Sequence, residues 1–375
     1  MLFYVTMGSI VFISKSHVIN SIGGAEMQMD ILAQALTKKG WDVTYVTNAV
    51  KSFQYFNRYK LIPAPTVKMK FWECLSKIDA DIYYQRGRKQ LTAWIGEFCA
   101  KKHKKFLFSL ANDTDCLKYR CLRSNGASSS EIFKSMFYLY KNLKLDYVSL
   151  QGMHKANLVL SQTQFQKKRL KENLGIDSEV FYNVHNIPKV NYIYRKTKTP
   201  IILWLANMKP RKRPEIFMKL AKEMKNVDCK FLMAGGVKTE RYSKLIKRTS
   251  VDNPNFEYVG PVSLEESTSL FAIADIFVST SDNQEGFPNT FIQAWMHGVP
   301  TVSLHFDPDG LIFNKNMGFV SDNNYLKLKD SICILLNNCR LKTELGENAR
   351  IFSTENFNLT KRIDNFIEML NAQII

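Results

Sequence analysis

Short apolar runs alternate along the whole chain with longer stretches in which apolar positions recur every three or four residues. That alternation predicts buried parallel strands covered by amphipathic helices. In the first half, strands are expected at Ile10–Ser14, Val43–Thr47, Ile82–Tyr84, Phe106–Leu110, Leu158–Ser161 and Val180–Asn183. A first helix is expected from Gly24, with Ala25, Met29, Leu32, Ala33 and Leu36 on one face and Lys38, Lys39 and Gly40 closing it. The polar stretch Pro188–Pro200 (PKVNYIYRKTKTP) has no period and reads as a linker. The alternation then restarts with strand Ile201–Leu205 and a helix from about Pro214, whose stripe is Phe217, Leu220, Ala221 and Met224. Strands Lys230–Met233, Phe256–Val259, Ile276–Ser279 and Thr301–Leu304 follow, and Leu359–Leu370 is an amphipathic helix with no strand after it. The pattern predicts an α/β chain of two doubly wound domains in tandem.

Composition supports a globular protein, with 45% hydrophobic and 23% charged residues among 375. The formal charge of +18 is unevenly placed: residues 1–198 hold 31 Lys and Arg against 14 Asp and Glu, whereas residues 199–375 hold 21 against 20. A field this lopsided attracts anions such as lipid headgroups, pyrophosphate-linked acceptors or nucleic acid. The seven cysteines form no C-x-x-C pair and read as reduced thiols. The apolar start Met1–Ser14 has no basic leader and is too short to span a bilayer, so a cytoplasmic protein is expected.

Ligands of open parallel sheets sit where strand ends feed helix N-termini. Three such loops hold unusual residues. Ser21-Ile22-Gly23-Gly24-Ala25-Glu26 allows close backbone approach to a ligand, although a plain tight turn explains paired glycines equally well. Ala206–Pro214 (ANMKPRKRP) places Lys209, Arg211, Lys212 and Arg213 at a helix start, which suits a bridging diphosphate; the alternative is a solvated basic turn. Ser279–Gln293 (STSDNQEGFPNTFIQ) sets the carboxylate Glu285 beside Gly286, with Pro288 pre-setting a helical turn whose free amides face outward. That offers an acceptor for sugar hydroxyls next to donors for phosphate, while a simple helix cap would account for Glu285 alone. Among three D-x-D triplets, Asp79–Asp81 and Asp307–Asp309 read as structural, and Asp113–Asp115 follows a strand end where substrate contact is expected. No G-x-S-x-G, H-E-x-x-H or Walker loop is present, and no RNP-like or recognition-helix pattern supports nucleic-acid binding.

The second half resembles the C-terminal domain of the retaining, GT-B-fold glycosyltransferases of family 4, also called glycosyl transferases group 1. The matching stretches are ILWLANMKPRKRPEIFMKLAKEM, FLMAGG, FEYVGPVSLEE and ADIFVSTSDNQEGFPNTFIQAWMHGVPTVS. The first half is similar through SIGGAEMQMDILAQALTKKGWDVTYVT and, more loosely, ADIYYQRG, FLFSLAND and VHNIP. The resemblance implies the GT-B fold, two tandem Rossmann-like domains with an interdomain cleft. Residues 1–190 would bind the acceptor and 200–356 the nucleotide sugar, with a final helix, about 357–375, packing back on the first domain. It also implies a UDP- or GDP-sugar donor, a glycan or lipid-pyrophosphate acceptor, and neither metal nor cofactor. Glu285 stands at the first acid of the family's E-x7-E motif and would hold donor-sugar hydroxyls. Gln293 replaces the second acid, which binds the ribose diol. Lys212 matches the diphosphate lysine, while Asn207 replaces its arginine partner, so Lys209 or Arg211 would supply that charge. Gly24 matches the glycine that approaches the donor phosphate. Asn112 and Asp113 occupy the place of the family's N-domain histidine. Substrate contacts are further expected from Gly286, Phe287, Pro288, Asn289 and Thr290.

By that resemblance the sugar leaves its diphosphate as an oxocarbenium-like species, the acceptor attacks on the same face, and the leaving phosphate takes the acceptor's proton. The chain's work is then to stabilise developing diphosphate charge with Lys212 and its neighbours. The run Lys101-Lys102-His103-Lys104-Lys105, near Trp94, Ile95 and Phe98, is expected to dock on an anionic membrane surface, the inner face of the plasma membrane; an ordinary basic helix end is the alternative. Competing readings are a nucleotide-sugar 2-epimerase of the same fold and a degenerate transferase acting as a partner subunit, the latter prompted by Gln293 and Asn207.

Overall fold

The structure is a computed structural model that describes residues 8–20, 23–123, 132–188, 199–282 and 286–374. The chain divides into two compact units, Met1–Val184 with Leu359–Ile375, and His185–Asn358. The first unit runs β1 (Ser9–Ile13), α1 (Gly24–Lys38), β2 (Asp42–Thr47), β3 (Gln54–Phe56), β4 (Tyr59–Pro63), α2 (Lys68–Ile78), β5 (Ile82–Arg86), α3 (Gln90–Lys102), β6 (Lys105–Ser109), α4 (Ile132–His154), β7 (Leu158–Ser161), α5 (Gln164–Leu174) and β8 (Glu179–Val180). The second unit runs β9 (Ile201–Leu205), α6 (Pro214–Glu223), β10 (Lys230–Ala234), α7 (Glu240–Asp252), β11 (Phe256–Gly260), α8 (Leu264–Ile273), β12 (Ile276–Ser279), α9 (Asn289–Met296), β13 (Thr301–Ser303), α10 (Leu311–Asn314), β14 (Gly318–Val320), α11 (Tyr325–Asn337) and α12 (Cys339–Asn356). The last helix, α13 (Leu359–Ile374), returns to the first unit, where Ile363 and Phe366 join the core beneath α1.

The first sheet has the order β3-β4-β2-β1-β5-β6-β7-β8 and the second β11-β10-β9-β12-β13-β14. All pairings are parallel except β3 with β4. Both sheets are therefore doubly wound, and each winds outward in two directions from one pair of strands: β1 and β5 in the first unit, β9 and β12 in the second. Loops leaving the carboxyl ends of such a pair have no crossover helix between them, which is why ligands bind there. Each sheet is buried on both faces. In the first unit Ile10, Phe12 and Tyr84 face α1 and α13, while Val11, Ile13 and Tyr83 face the layer with Phe71, Ile95 and Phe98. In the second, Ile202, Trp204, Phe231 and Val278 pack with Phe217 and Leu220 of α6 and Leu328 and Ile332 of α11. Burying one such side chain contributes about 1.5–3 kcal/mol, and these strands read as continuous apolar runs for that reason.

The sequence pattern misses the hairpin β3–β4. Asn57 and Arg58 form its two-residue turn with φ of 47° and 76°. A turn of this kind needs positive φ at both positions and normally announces itself by Asn-Gly; arginine in the second position hides it. The last strand of the first sheet is also shorter than the apolar run Val180–Asn183 suggests, because pairing with β7 ends at Val180.

Candidate active site

In the second unit the loop leaving β12 grips the backbone carbonyls of the loop leaving β9. Trp204, the fourth residue of β9, donates its indole N–H to Thr280 Oγ1 at 2.9 Å, and Thr280 in turn donates to the carbonyl of Lys212 at 2.6 Å. Asp282 N–H donates to the carbonyl of Arg211 at 2.9 Å. Trp204 and Thr280 are buried, whereas the side chains of Arg211 and Lys212 are half-buried and that of Lys209 is exposed. The basic loop is thus held through its carbonyls, with Lys209 exposed and Arg211 and Lys212 half-buried. The turn itself is a short 3-10 segment, Pro210–Lys212, closed by Arg213 in the left-handed region (φ 47°), after which buried Pro214 starts α6. Arg213 is directed away to the side-chain carbonyl of Asn323.

The floor of this loop is β10's exit. Met208 N–H donates to Gly236 O at 2.9 Å, and Asn207 Oδ1 accepts from Gly236 N–H at 3.3 Å. A side chain at Gly235 (φ 132°) would put its Cβ 1.9 Å from Ala206 O, so the first glycine of the pair in FLMAGG is required by the approach of two strand exits.

Beyond Asp282, Glu285 lies outside the described residues, as do Asn283 and Gln284. Gly286 (φ 71°) then opens the turn into α9, with Pro288 as the preceding cap and Thr290 half-buried on the first turn. The side chain of Phe287 is core: it packs edge-on against Phe357 (5.1 Å) and Trp295 (6.0 Å). Asn289 is buried and hydrogen-bonded to the His185 imidazole. Burial lowers the His185 pKa to about 4, with His297 adding to the shift, so this histidine is neutral at pH 7. The Gln293 amide, expected at a ribose diol, is buried and donates to Ser267 Oγ on α8 at 3.0 Å.

In the first unit, Gly24 is exposed at the first position of α1, following Gly23 as its extended cap; Ser21 and Ile22 of this loop lie outside the described residues. The polar loop after β6 turns inward. Asn112 caps the 3-10 turn Asp113–Cys116 by accepting from Thr114, and Asp113 accepts from Gln166 Nε2 at 2.9 Å. Asp115, 1% exposed, accepts from Ala111 N–H and from Arg120 at 3.2 Å. Arg88 completes this network, donating to Ser149 Oγ and to the carbonyls of Leu117, Lys118 and Asp146. Asp146 accepts from Arg120 Nε at 2.9 Å. Burial and the neighbouring Arg120 bring Arg88 down to about 10, still cationic at neutral pH. The other two D-x-D triplets are structural: Asp81 accepts from Ser9, and Asp307 accepts from the N–H groups of Ile312 and Phe313 at the start of α10.

Residues 190–352 match the family model described as glycosyl transferases group 1. That match coincides with the second unit and contains both tied loops. Residues 190–352 are a glycosyl transferases group 1 domain. Over 94% of this chain and 96% of the relative, the sequence is 24% identical to an uncharacterised glycosyltransferase of Methanocaldococcus jannaschii. Among solved structures, the chain is similar to a sucrose-phosphate synthase of Thermosynechococcus elongatus (TM-score 0.78, 16% identity, 97% of this chain and 98% of the other). It is also similar to Anabaena HepE in complex with UDP and glucose (TM-score 0.74, 14% identity, 97% and 100%). The architecture is GT-B, with two Rossmann-like domains.

Sequence reasoning found the two loops of the group 1 domain and missed what joins them. Thr280 and Trp204 gave no signal, because one reads as a loop threonine and the other as a core aromatic. Their contact depends on strand order, which places β9 beside β12 although about 70 residues separate them. Among the described residues no three His, Cys, Asp or Glu side chains are grouped as metal ligands, and no helix is long and apolar enough to cross a membrane.

Proposed function

We propose that the group 1 domain binds the diphosphate of a nucleotide sugar in the loop Asn207–Lys212 and that the chain transfers the sugar, with retention and without a metal, to an anionic glycan or lipid-linked acceptor held by the basic first unit. The observation that carries this reading is the pair of hydrogen bonds from Thr280 and Asp282 to the carbonyls of Lys212 and Arg211. Fixed dipoles and cations that need no rearrangement stabilise a leaving diphosphate far better than mobile surface lysines. Lys212, with Arg211 and Lys209, neutralises the diphosphate; Glu285 and the first-turn amides of α9 orient the sugar. The anomeric C–O bond to the diphosphate breaks, the acceptor oxygen forms the new bond, and its proton passes to the departing phosphate oxygen. HepE, which has the same fold, is recorded with UDP and glucose, and this favours a UDP-sugar as donor. The 31-to-14 excess of cations over acids in residues 1–198 favours a polyanionic acceptor, as in cell-surface polysaccharide synthesis, and docking at an anionic membrane surface.

The test is a thermal-shift series of the full chain with UDP-, GDP- and ADP-sugars in EDTA. A ligand at 100 times its Kd adds about 2.7 kcal/mol, so one class is expected to raise the melting temperature by several degrees. No shift with any of them, with or without Mg²⁺, would remove the donor assignment.

A further inference from the structure

The first unit also has two strands flanking its switch point, β1 and β5, and the last residue of β5 is Arg86. Arg86 is 5% exposed and sits beside Tyr84's face of the sheet, the face covered by α1 and α13. Its one hydrogen bond runs from Nη2 to the side-chain oxygen of Asn183, a neutral group, and its Nε is buried without a partner. Among the described residues neither a carboxylate nor an aromatic ring meets this guanidinium.

Arg88, two residues further on, shows what the chain does with an arginine that is purely structural. Arg88 has Ser149 and four carbonyls as acceptors, those of Asp115, Leu117, Lys118 and Asp146, and the Asp115 and Asp146 carboxylates lie in the same network through Arg120. Removing a guanidinium from water without a counter-charge is unfavourable. A folded protein retains such a group where a ligand supplies the missing charge. The guanidinium fork is matched in shape to the oxygens of a phosphate, and the unsatisfied Nε belongs to that fork.

We infer that Arg86, steadied by Asn183, is a phosphate-binding residue contributed by the first unit, distinct from the lysine loop of the group 1 domain. Its place at the carboxyl end of β5, the strand paired with β1, is where a doubly wound sheet receives ligands. The phosphate comes from one of two sources, the donor diphosphate or a phosphate on the acceptor. The inference rests on the glycosyltransferase reading for what that phosphate belongs to, and on Arg86's own surroundings for its existence.

The experiment compares full-length wild type, Arg86→Met, Arg86→Lys and Lys212→Ala by calorimetric titration in EDTA. One arm titrates UDP and GDP; the other titrates inorganic phosphate with and without saturating nucleotide. Arg86→Met is expected to weaken one arm at least tenfold while raising the ligand-free melting temperature, since an uncompensated cation has been removed. Loss in the nucleotide arm assigns the donor diphosphate, and loss in the phosphate arm assigns the acceptor. If Arg86→Met does not fold, Arg86→Lys reads the same question: it keeps the charge, lacks the fork, and is expected to lose threefold or more. Binding within threefold of wild type in both arms, for whichever variant folds, overturns the inference and makes Arg86 structural. Wild type that binds phosphate through Arg86 but neither nucleotide would strike the donor reading and leave Arg86 standing.

Discussion

Two loops in this chain leave a strand end with charged residues, cations after β9 and carboxylates after β6, and they differ in what their side chains do. After β9, the loop Asn207–Arg213 hangs on its own carbonyls, which Thr280 and Asp282 grip, with Lys209 exposed and Arg211 and Lys212 half-buried. After β6, the loop Asn112–Asp115 is folded by its side chains: Asn112 caps, Asp113 binds Gln166, and Asp115 is buried against Arg120. The difference teaches that charged loops at strand ends can be held by different atoms, the first through its carbonyls and the second through its side chains. The sign of the charge separates the two loops in the sequence; the atoms that hold each one are seen only in the structure.

The comparison can be broken most severely from the structural side. Arg120→Met should leave the buried Asp115 and Asp146 without the cation that pairs with both and cost about 3–5 kcal/mol, measured by denaturant melts of the full chain. Little loss would mean that the network after β6 is not what holds that loop. Next comes the catalytic side. Lys212→Ala is expected to lower kcat about 10²- to 10³-fold, whereas Asp113→Asn, which keeps a side-chain oxygen for Gln166, should stay within about fivefold. Reversed sizes would exchange the roles of the two loops. A smaller effect is expected from Thr280→Val, which leaves the Lys212 carbonyl and the Trp204 indole without their shared hydroxyl. It should cost about 1–3 kcal/mol in stability and weaken nucleotide binding roughly tenfold, read by the same melts and by calorimetry. The smallest is Ser267→Ala, which frees the Gln293 amide; about 0.5–1.5 kcal/mol of stability should be lost. If nucleotide affinity then rises, Gln293 is a ribose ligand restrained by Ser267, and if it does not change, Gln293 serves the α8–α9 contact alone.

Much of the fold was legible because parallel strands buried on both faces are written as plain apolar runs, and helix stripes such as Phe217, Leu220 and Ala221 repeat at the helical period. The hairpin at Asn57–Arg58 was not legible, since its turn uses an arginine with positive φ where a glycine would have signalled it. Of the candidate site, the turn at Gly286 and Pro288 and the helix start at Pro214 after the basic loop could be read from local order. The inward use of Asp113 and Asp115 could not, because their partners Gln166 and Arg120 come from other elements. Phe287 and Gln293 were read as part of a ligand loop, yet their side chains pack against Trp295 and Ser267. Sequence order marks where a loop leaves its strand; which face each side chain then takes is decided by what packs behind it.

The central claim is that the loops after β9 and β12 form one preorganised diphosphate site. Hydrogen–deuterium exchange of the full chain, with and without a UDP-sugar in EDTA, tests it directly. The account predicts that peptides covering residues 206–213 and 280–293 slow together on ligand addition, and that Lys212→Ala abolishes both changes. Protection confined to other segments, or slowing of one loop without the other, would contradict it.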